Sequence, residues 1–186
     1  MYFSIVDFQP IKTSVESIKK IKAEEVDNKT SVCLDPGHGG NDDPGATNQD
    51  QIIEKEINLY VANQVKNILE GNNYKVYMTR TDNDTYLTNN DRYTYCNSKK
   101  ADILVSIHHN DYTDSSVDYD TVLYYKDSDK KLAESILNAT SSVLGVTNNG
   151  ITNFEDGVLS KSTMPAALSE AFFVSSYNEY NLLTTN

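Results

Sequence analysis

From Thr30 onward the chain alternates short apolar runs with longer amphipathic stretches. Thr30 to Leu34 reads as a buried strand that ends at Pro-Gly and feeds a glycine-rich loop. Residues 54–70 carry Ile57, Val61, Val65, Ile68 and Leu69 at helical intervals, and Gly71 is the expected stop. Tyr74 to Thr79 alternates as a strand does, and Asn89 to Lys99 reads as a helix. Ala101 to Ile107 is nearly continuous in apolar residues (Ile103, Leu104, Val105, Ile107), the mark of a strand covered on both faces. Thr121 to Tyr125 is a further strand. Asp129 to Leu144 is a helix with Leu132, Ile136, Leu137 and Val143, and Ala166 to Val174 is a last strand. Tyr177 to Leu183 could open a short closing helix. Strands alternating with helices predict a single α/β domain over 31–186, a twisted, mainly parallel sheet with helices on both faces. Residues 1–30 differ. They are charged and weakly periodic, with Ile11, Val15, Ile18 and Ile21, and are expected to be a linker or peripheral helix.

A chain of 186 residues suits one domain that buries roughly 70% of its unfolded surface. Hydrophobic residues at 38% and charged residues at 23% place it among globular chains. A net charge of -11 argues against nonspecific binding to DNA, RNA or anionic membranes, which calls for a basic patch. No apolar run reaches the roughly 18 residues of a membrane helix. The start MYFSIVDFQP carries Asp7, lacks a basic opening and is not expected to be a signal peptide. Cys33 and Cys96 form no C-x-x-C pair, so two free core thiols are expected, and their count leaves the compartment open. A monomer is expected.

Four residues could carry chemistry. His38 follows the first strand in a loop with Gly37, Gly39, Gly40 and Gly45, where ligands approach open α/β sheets. A lone loop histidine is more often solvated. His108 ends the most apolar strand, where a buried imidazole needs a partner. Successive strand residues face opposite ways, so His108 and His109 should not share one ion, and periodicity leaves open which faces the cleft. Glu54 opens a helix, and by spacing alone it fits a charge complementing the helix dipole. Glu170 lies between Ala166-Ala167-Leu168 and Ala171-Phe172-Phe173-Val174. A carboxylate in such a strand is costly unless paired or bound to metal, and desolvation should raise its pKa toward the range of a general base. Two histidines and one carboxylate would leave a zinc ion an open, catalytic position. No G-x-S-x-G, P-loop, G-x-G-x-x-G or H-E-x-x-H motif is present.

These segments, in this order, resemble the zinc-dependent N-acetylmuramoyl-L-alanine amidases of the amidase-3 type from about Ser31 to Leu183. Leu34-Asp35-Pro36-Gly37-His38-Gly39-Gly40 is similar to the family's opening motif. Ile53-Glu54-Lys55-Glu56-Ile57-Asn58-Leu59 is similar to its carboxylate-bearing helix. Met78-Thr79-Arg80-Thr81-Asp82, Asp91-Arg92, Cys96-Asn97 and Ala101 through Asn110 follow in order. Met164-Pro165-Ala166-Ala167-Leu168-Ser169-Glu170 resembles the strand of the catalytic carboxylate. The resemblance implies zinc held by His38, Glu54 and His108, chosen over His109 because it takes the Ser-Ile-His position, with Glu170 as general base. It implies cleavage of the amide between N-acetylmuramic acid and L-alanine of the peptidoglycan stem, at the cell wall or outside the cell. Asn110 could touch substrate or cap its loop. A zinc peptidase cutting within the stem peptide, and a non-catalytic wall-binding module, are the alternatives. Ser175-Ser176 stands where Ser-Asn is usual and Phe172 where Gly is usual. Little chain remains for the closing helix expected after about Leu183.

Overall fold

A computed structural model describes residues 29–48 and 51–176. The expected N-terminal linker or helix (but for its last two residues) and the closing helix lie outside them. The elements are β1 (Ser31–Pro36), α1 (Glu54–Gly71), β2 (Lys75–Met78), α2 (Asn89–Lys99), β3 (Ile103–Asn110), β4 (Asp120–Tyr124), α3 (Lys130–Leu144), β5 (Asn148–Asn153), α4 (Gly157–Lys161) and β6 (Ala166–Phe173). They form one six-stranded sheet in the order β2-β1-β3-β6-β4-β5. The expected mainly parallel α/β sheet is found, with one antiparallel pairing between β4 and β6. The reason is local. β3 and β4 are joined by residues 111–119, which contain no helix, so the chain turns back instead of crossing over.

Period-two alternation divides the core. Val32, Leu34 and Ile107 face one way and meet Leu59 and Ala62 of α1. Ala167 and Val122 meet Ala133 and Leu137 of α3. Val105 and Ala167 are register partners, so α1 and α3 cover the same face. Cys33, Leu104, Ala166 and Leu168 face the other way, against Cys96 of α2 and Val158 and Leu159 of α4. Each fully buried aliphatic side chain contributes about 1.5–3 kcal/mol.

The ends of the helices depart from expectation in one case. α2 begins with a reciprocal capping box, in which the Thr88 hydroxyl accepts the Asp91 N–H and the Asp91 carboxylate accepts the Thr88 N–H. α1 runs through Gly71 and is stopped by Asn72, whose side chain donates to the Ile68 carbonyl at 2.8 Å. Asn73, at φ 67, takes the left-handed turn expected of the glycine. Two elements escape the hydrophobic pattern altogether. β5 is an edge strand of sequence NNGITN, with Ile151 its sole apolar residue, and α4 is too short to show a helical period.

The cysteines correct the expectation of free thiols. Cys33 and Cys96 are both fully buried and form a disulfide, with Cα atoms 5.8 Å apart. A separation of 63 residues says nothing about proximity once α2 packs on β1. Cys96 sits one turn beyond Arg92, and Arg92 reaches Asp35, two residues along β1 from Cys33. Replacing both cysteines by alanine is expected to lower stability by about 2–4 kcal/mol, as a shift of the urea unfolding midpoint.

Candidate metal centre

The carboxyl ends of β1, β3 and β6 meet the first turn of α1, and three of the sequence-predicted residues converge there. His38, Glu54 and His108 each offer a ligand atom, and these atoms lie within 4.8 Å of one another. His38 follows β1 at φ 58, a left-handed turn that throws its ring back over the strand end. Its Nε2 lies 3.1 Å from Glu54 Oε2, and its Nδ1 lies 2.6 Å from Asp43 Oδ1. His108 Nδ1 lies 3.2 Å from Glu54 Oε1. The two rings meet edge to face with centroids 4.9 Å apart. Two glycines make this crowding possible. A Cβ on Gly37 would stand 2.2 Å from the His108 ring, and one on Gly45 would stand 2.6 Å from both Glu54 Oε2 and His38 Cδ2.

Glu54 is only 4% exposed, and both its carboxylate oxygens accept hydrogen bonds from the protein. Oε2 accepts the Ala46 N–H at 2.9 Å, while Oε1 accepts the Asn58 amide and the His109 N–H, each at 3.2 Å. Burial pushes this carboxyl up, but hydrogen bonds and charge from His108 and His38 outweigh it and hold Glu54 well below the usual range. Burial likewise pulls His38 down, and the Glu54 and Asp43 carboxylates overcome it, raising His38 to about 9.

His108 and Glu170 are register partners on adjacent parallel strands, so their side chains leave the same face of the sheet. That places Glu170 beside the cluster. Its Oε2 is buried and has no hydrogen-bond partner among the described residues. Burial raises Glu170 to about 7, with the Glu54 charge adding to the rise and the His108 and His38 charges opposing it. Beyond Glu170 the register slips, since His108 pairs with Glu170 but Asn110 pairs with Phe173. The bulge falls where Phe172 replaces the usual glycine, and it seats Phe172 in a core with Ile57 and Val174. Glu170 keeps its place because the slip begins after it.

His109 faces the other way. Its ring lies 4.1 Å from Phe172, and its Nδ1 lies 2.6 Å from Asn58 Oδ1. Alternation along β3 thus settles what the sequence left open. Asn110 Oδ1 accepts the Asp111 N–H at 2.8 Å.

Beneath the cluster lies a polar floor that the sequence analysis missed. Asp35, fully buried, pairs with Arg92 at 2.9 Å and also accepts from Thr79 and Ser106. Burial pushes Asp35 up, but the Arg92 charge and these hydrogen bonds hold it below its ordinary value. Arg92 donates to the carbonyls of Pro36 and His38, and Arg80 to those of Pro36, Gly37 and Lys55. The two guanidinium groups therefore hold the His38 loop to the start of α1. One signal was visible: Asp35 ends an apolar run, as Glu170 interrupts one. A cleft of about 230 Å³ opens over this floor, with His38, His108, Asn89, Asp156 and Val158 in its walls.

Two imidazole nitrogens and a carboxylate oxygen, beside a glutamate whose buried Oε2 has no partner among the described residues, make a candidate site for a divalent metal ion. The chain also matches, over residues 32–186, the family model described as N-acetylmuramoyl-L-alanine amidase. It is 33% identical over 172 residues to a probable cell wall amidase, LytH, of Staphylococcus saprophyticus, covering 92% of this chain and 57% of that relative. The chain thus spans about half the length of the curated relatives it matches. Among solved structures, the catalytic domain of the CwlV amidase of Bacillus (Paenibacillus) polymyxa superposes with a TM-score of 0.78 at 31% identity, covering 83% of this chain and 87% of that one. An N-acetylmuramoyl-L-alanine amidase of Clostridium difficile 630 does so with a TM-score of 0.78 at 34% identity, covering 83% and 85%.

Arg92→Met would leave the Asp35 charge buried without its partner. It is expected to cost about 3–5 kcal/mol in denaturant unfolding, and Asp35→Asn in the same chain should recover part of the loss.

Proposed function

Because this chain belongs to the N-acetylmuramoyl-L-alanine amidase family, we propose that it hydrolyses the amide between the lactyl group of N-acetylmuramic acid and L-alanine of the peptidoglycan stem. In this reading residues 31–186 form the catalytic domain, His38, Glu54 and His108 hold zinc, and Glu170 is the general base. One observation carries it: a His-Glu-His cluster whose neighbour on the next strand is a glutamate with a buried Oε2 that has no partner among the described residues. Zinc, when bound, supplies Lewis acidity to water and to the scissile carbonyl.

The protein side chains do the rest. Asp43 accepts from His38 Nδ1 and so presents Nε2 to the ion, the usual carboxylate support of a metal-bound histidine. Glu170, raised to about 7 by burial, is matched to take a proton from the attacking water and to return it to the departing amine of L-alanine. The cleft of about 230 Å³ beside His38 and His108 would hold the scissile part of the stem against the cluster. Work at the cell wall or outside the cell suits both the similarity to a cell wall amidase and the buried disulfide, since disulfides persist in oxidising compartments. No helix among the described residues is long and apolar enough to cross a membrane.

Glu170→Gln is expected to keep the metal and to lower turnover of purified peptidoglycan about 10²–10⁴-fold. Mass spectrometry of the digest should show a free lactyl carboxyl and a new N-terminal L-alanine, lost with chelator and restored by added zinc. A new terminus inside the peptide would instead mark a peptidase.

Metal binding should also depend on pH. His38 near 9 is protonated at neutral pH in the metal-free protein, and a ligand imidazole must be neutral. Binding therefore releases a proton, and affinity should fall about tenfold for each pH unit below 9. Calorimetry in buffers of different ionisation enthalpy will count that proton.

A further inference from the structure

His109 is the one histidine outside the cluster, and it is 3% exposed. It lies on the far face of β3, against Phe172, where it cannot reach the cleft. A buried imidazole in such a place requires a reason, and its hydrogen bonds supply one. The Asn58 amide nitrogen donates to Glu54 Oε1 and to the Gly37 carbonyl, both at 3.2 Å. With both amide hydrogens placed, the Asn58 oxygen can only accept, so the 2.6 Å contact requires His109 Nδ1 to be the donor. The backbone N–H of His109 donates to the same Glu54 oxygen.

We propose that His109 is a positioning residue for the metal centre, orienting the Glu54 carboxylate through Asn58 and holding the Gly37-His38 turn to the same amide. The proposal rests on the reading of Glu54 as a metal ligand. Asn58 is fully buried on the second turn of α1. Without the His109 donor the buried Asn58 oxygen loses its partner, and the amide is drawn off the two long bonds by which it holds Glu54 and the Gly37 carbonyl. The neighbouring histidines thus have separate tasks set by the pleat: His108 faces the ion, and His109 fixes the ligand that shares it.

The test compares two replacements at one position. His109→Leu fills the space against Phe172 but has no donor. His109→Asn leaves a small gap there but keeps an amide N–H close to the place of Nδ1. Zinc dissociation constants, measured by competition with a chromophoric chelator, should rise about 10–100-fold for His109→Leu and stay within about threefold for His109→Asn. Asn58→Leu should match His109→Leu, and the double Leu variant should be no weaker than Asn58→Leu alone, because the chain of bonds is already cut. Melting curves of the metal-free proteins monitor folding. If His109→Leu does not fold, the Asn58→Leu comparison carries the same expectation. Unchanged zinc affinity in a folded Leu variant overturns the proposal, and so does Leu binding zinc more tightly than Asn, which would mean that only packing matters. Glu54→Ala separates the two readings. If it abolishes tight zinc binding while His109→Leu does not weaken it, the relay alone fails. If it leaves zinc binding intact, the metal reading fails and the relay falls with it.

Discussion

A carboxylate taken out of water must have its charge answered by whatever surrounds it, and the architecture around Glu54 follows from that requirement. Glu54 opens α1 with its backbone N–H on the Ala46 carbonyl. Its oxygens collect the Ala46 and His109 N–H groups, the Asn58 amide and the two facing imidazoles. Those partners come from the loop after β1, from the helix itself and from β3. To satisfy one side chain, three segments must arrive together. The same convergence places two histidine nitrogens around one point, so the solution of a desolvation problem also builds a candidate metal site.

A second buried carboxylate holds that arrangement from below. Asp35 draws in Arg92, and the guanidinium groups of Arg92 and Arg80 turn toward the carbonyls of residues 36–38 and 55. Burial lowers Arg80 to about 10, with the nearby Arg92 charge adding to the fall, yet it remains a cation at neutral pH. A planar guanidinium can hold several carbonyls in fixed directions, which a lysine could not do. The disulfide joins β1 and α2 just beneath this ion pair. The loop that carries His38 is therefore fixed by charge, by hydrogen bonds and by a covalent link, in a stretch whose glycines would otherwise leave it free. A metal site gains affinity when its ligands need little ordering, and this floor supplies the order in advance.

Much of this was legible before the structure. The apolar runs around Leu34, Leu104 and Leu168 marked the central strands, because a strand covered on both faces reads as a near-continuous apolar run. Glu170 was conspicuous as a carboxylate in an apolar run, and its Oε2 proves to be buried with no hydrogen-bond partner among the described residues. Where the pattern failed, burial was weak or the element short. β5 is an edge strand that needs one apolar residue, and α4 spans little more than a turn. The sequence pattern left residues 111–119 without a helix, but the antiparallel pairing of β4 with β6 is a tertiary choice that hydrophobicity alone did not reveal.

The amino-acid sequence by itself determined which strands are central and which helices cover them, and it marked Glu170 as a carboxylate set in an apolar run. Those are local properties, set by period, composition and the cost of burying a charge. The tertiary structure decided the pairings. It brought Cys33 to Cys96, set Asp35 under Arg92, turned His108 toward the cleft and seated His109 on Asn58. None of these can be read from spacing, because a contact across many residues depends on how strands register and helices dock, and a single step along a strand exchanges one face for the other.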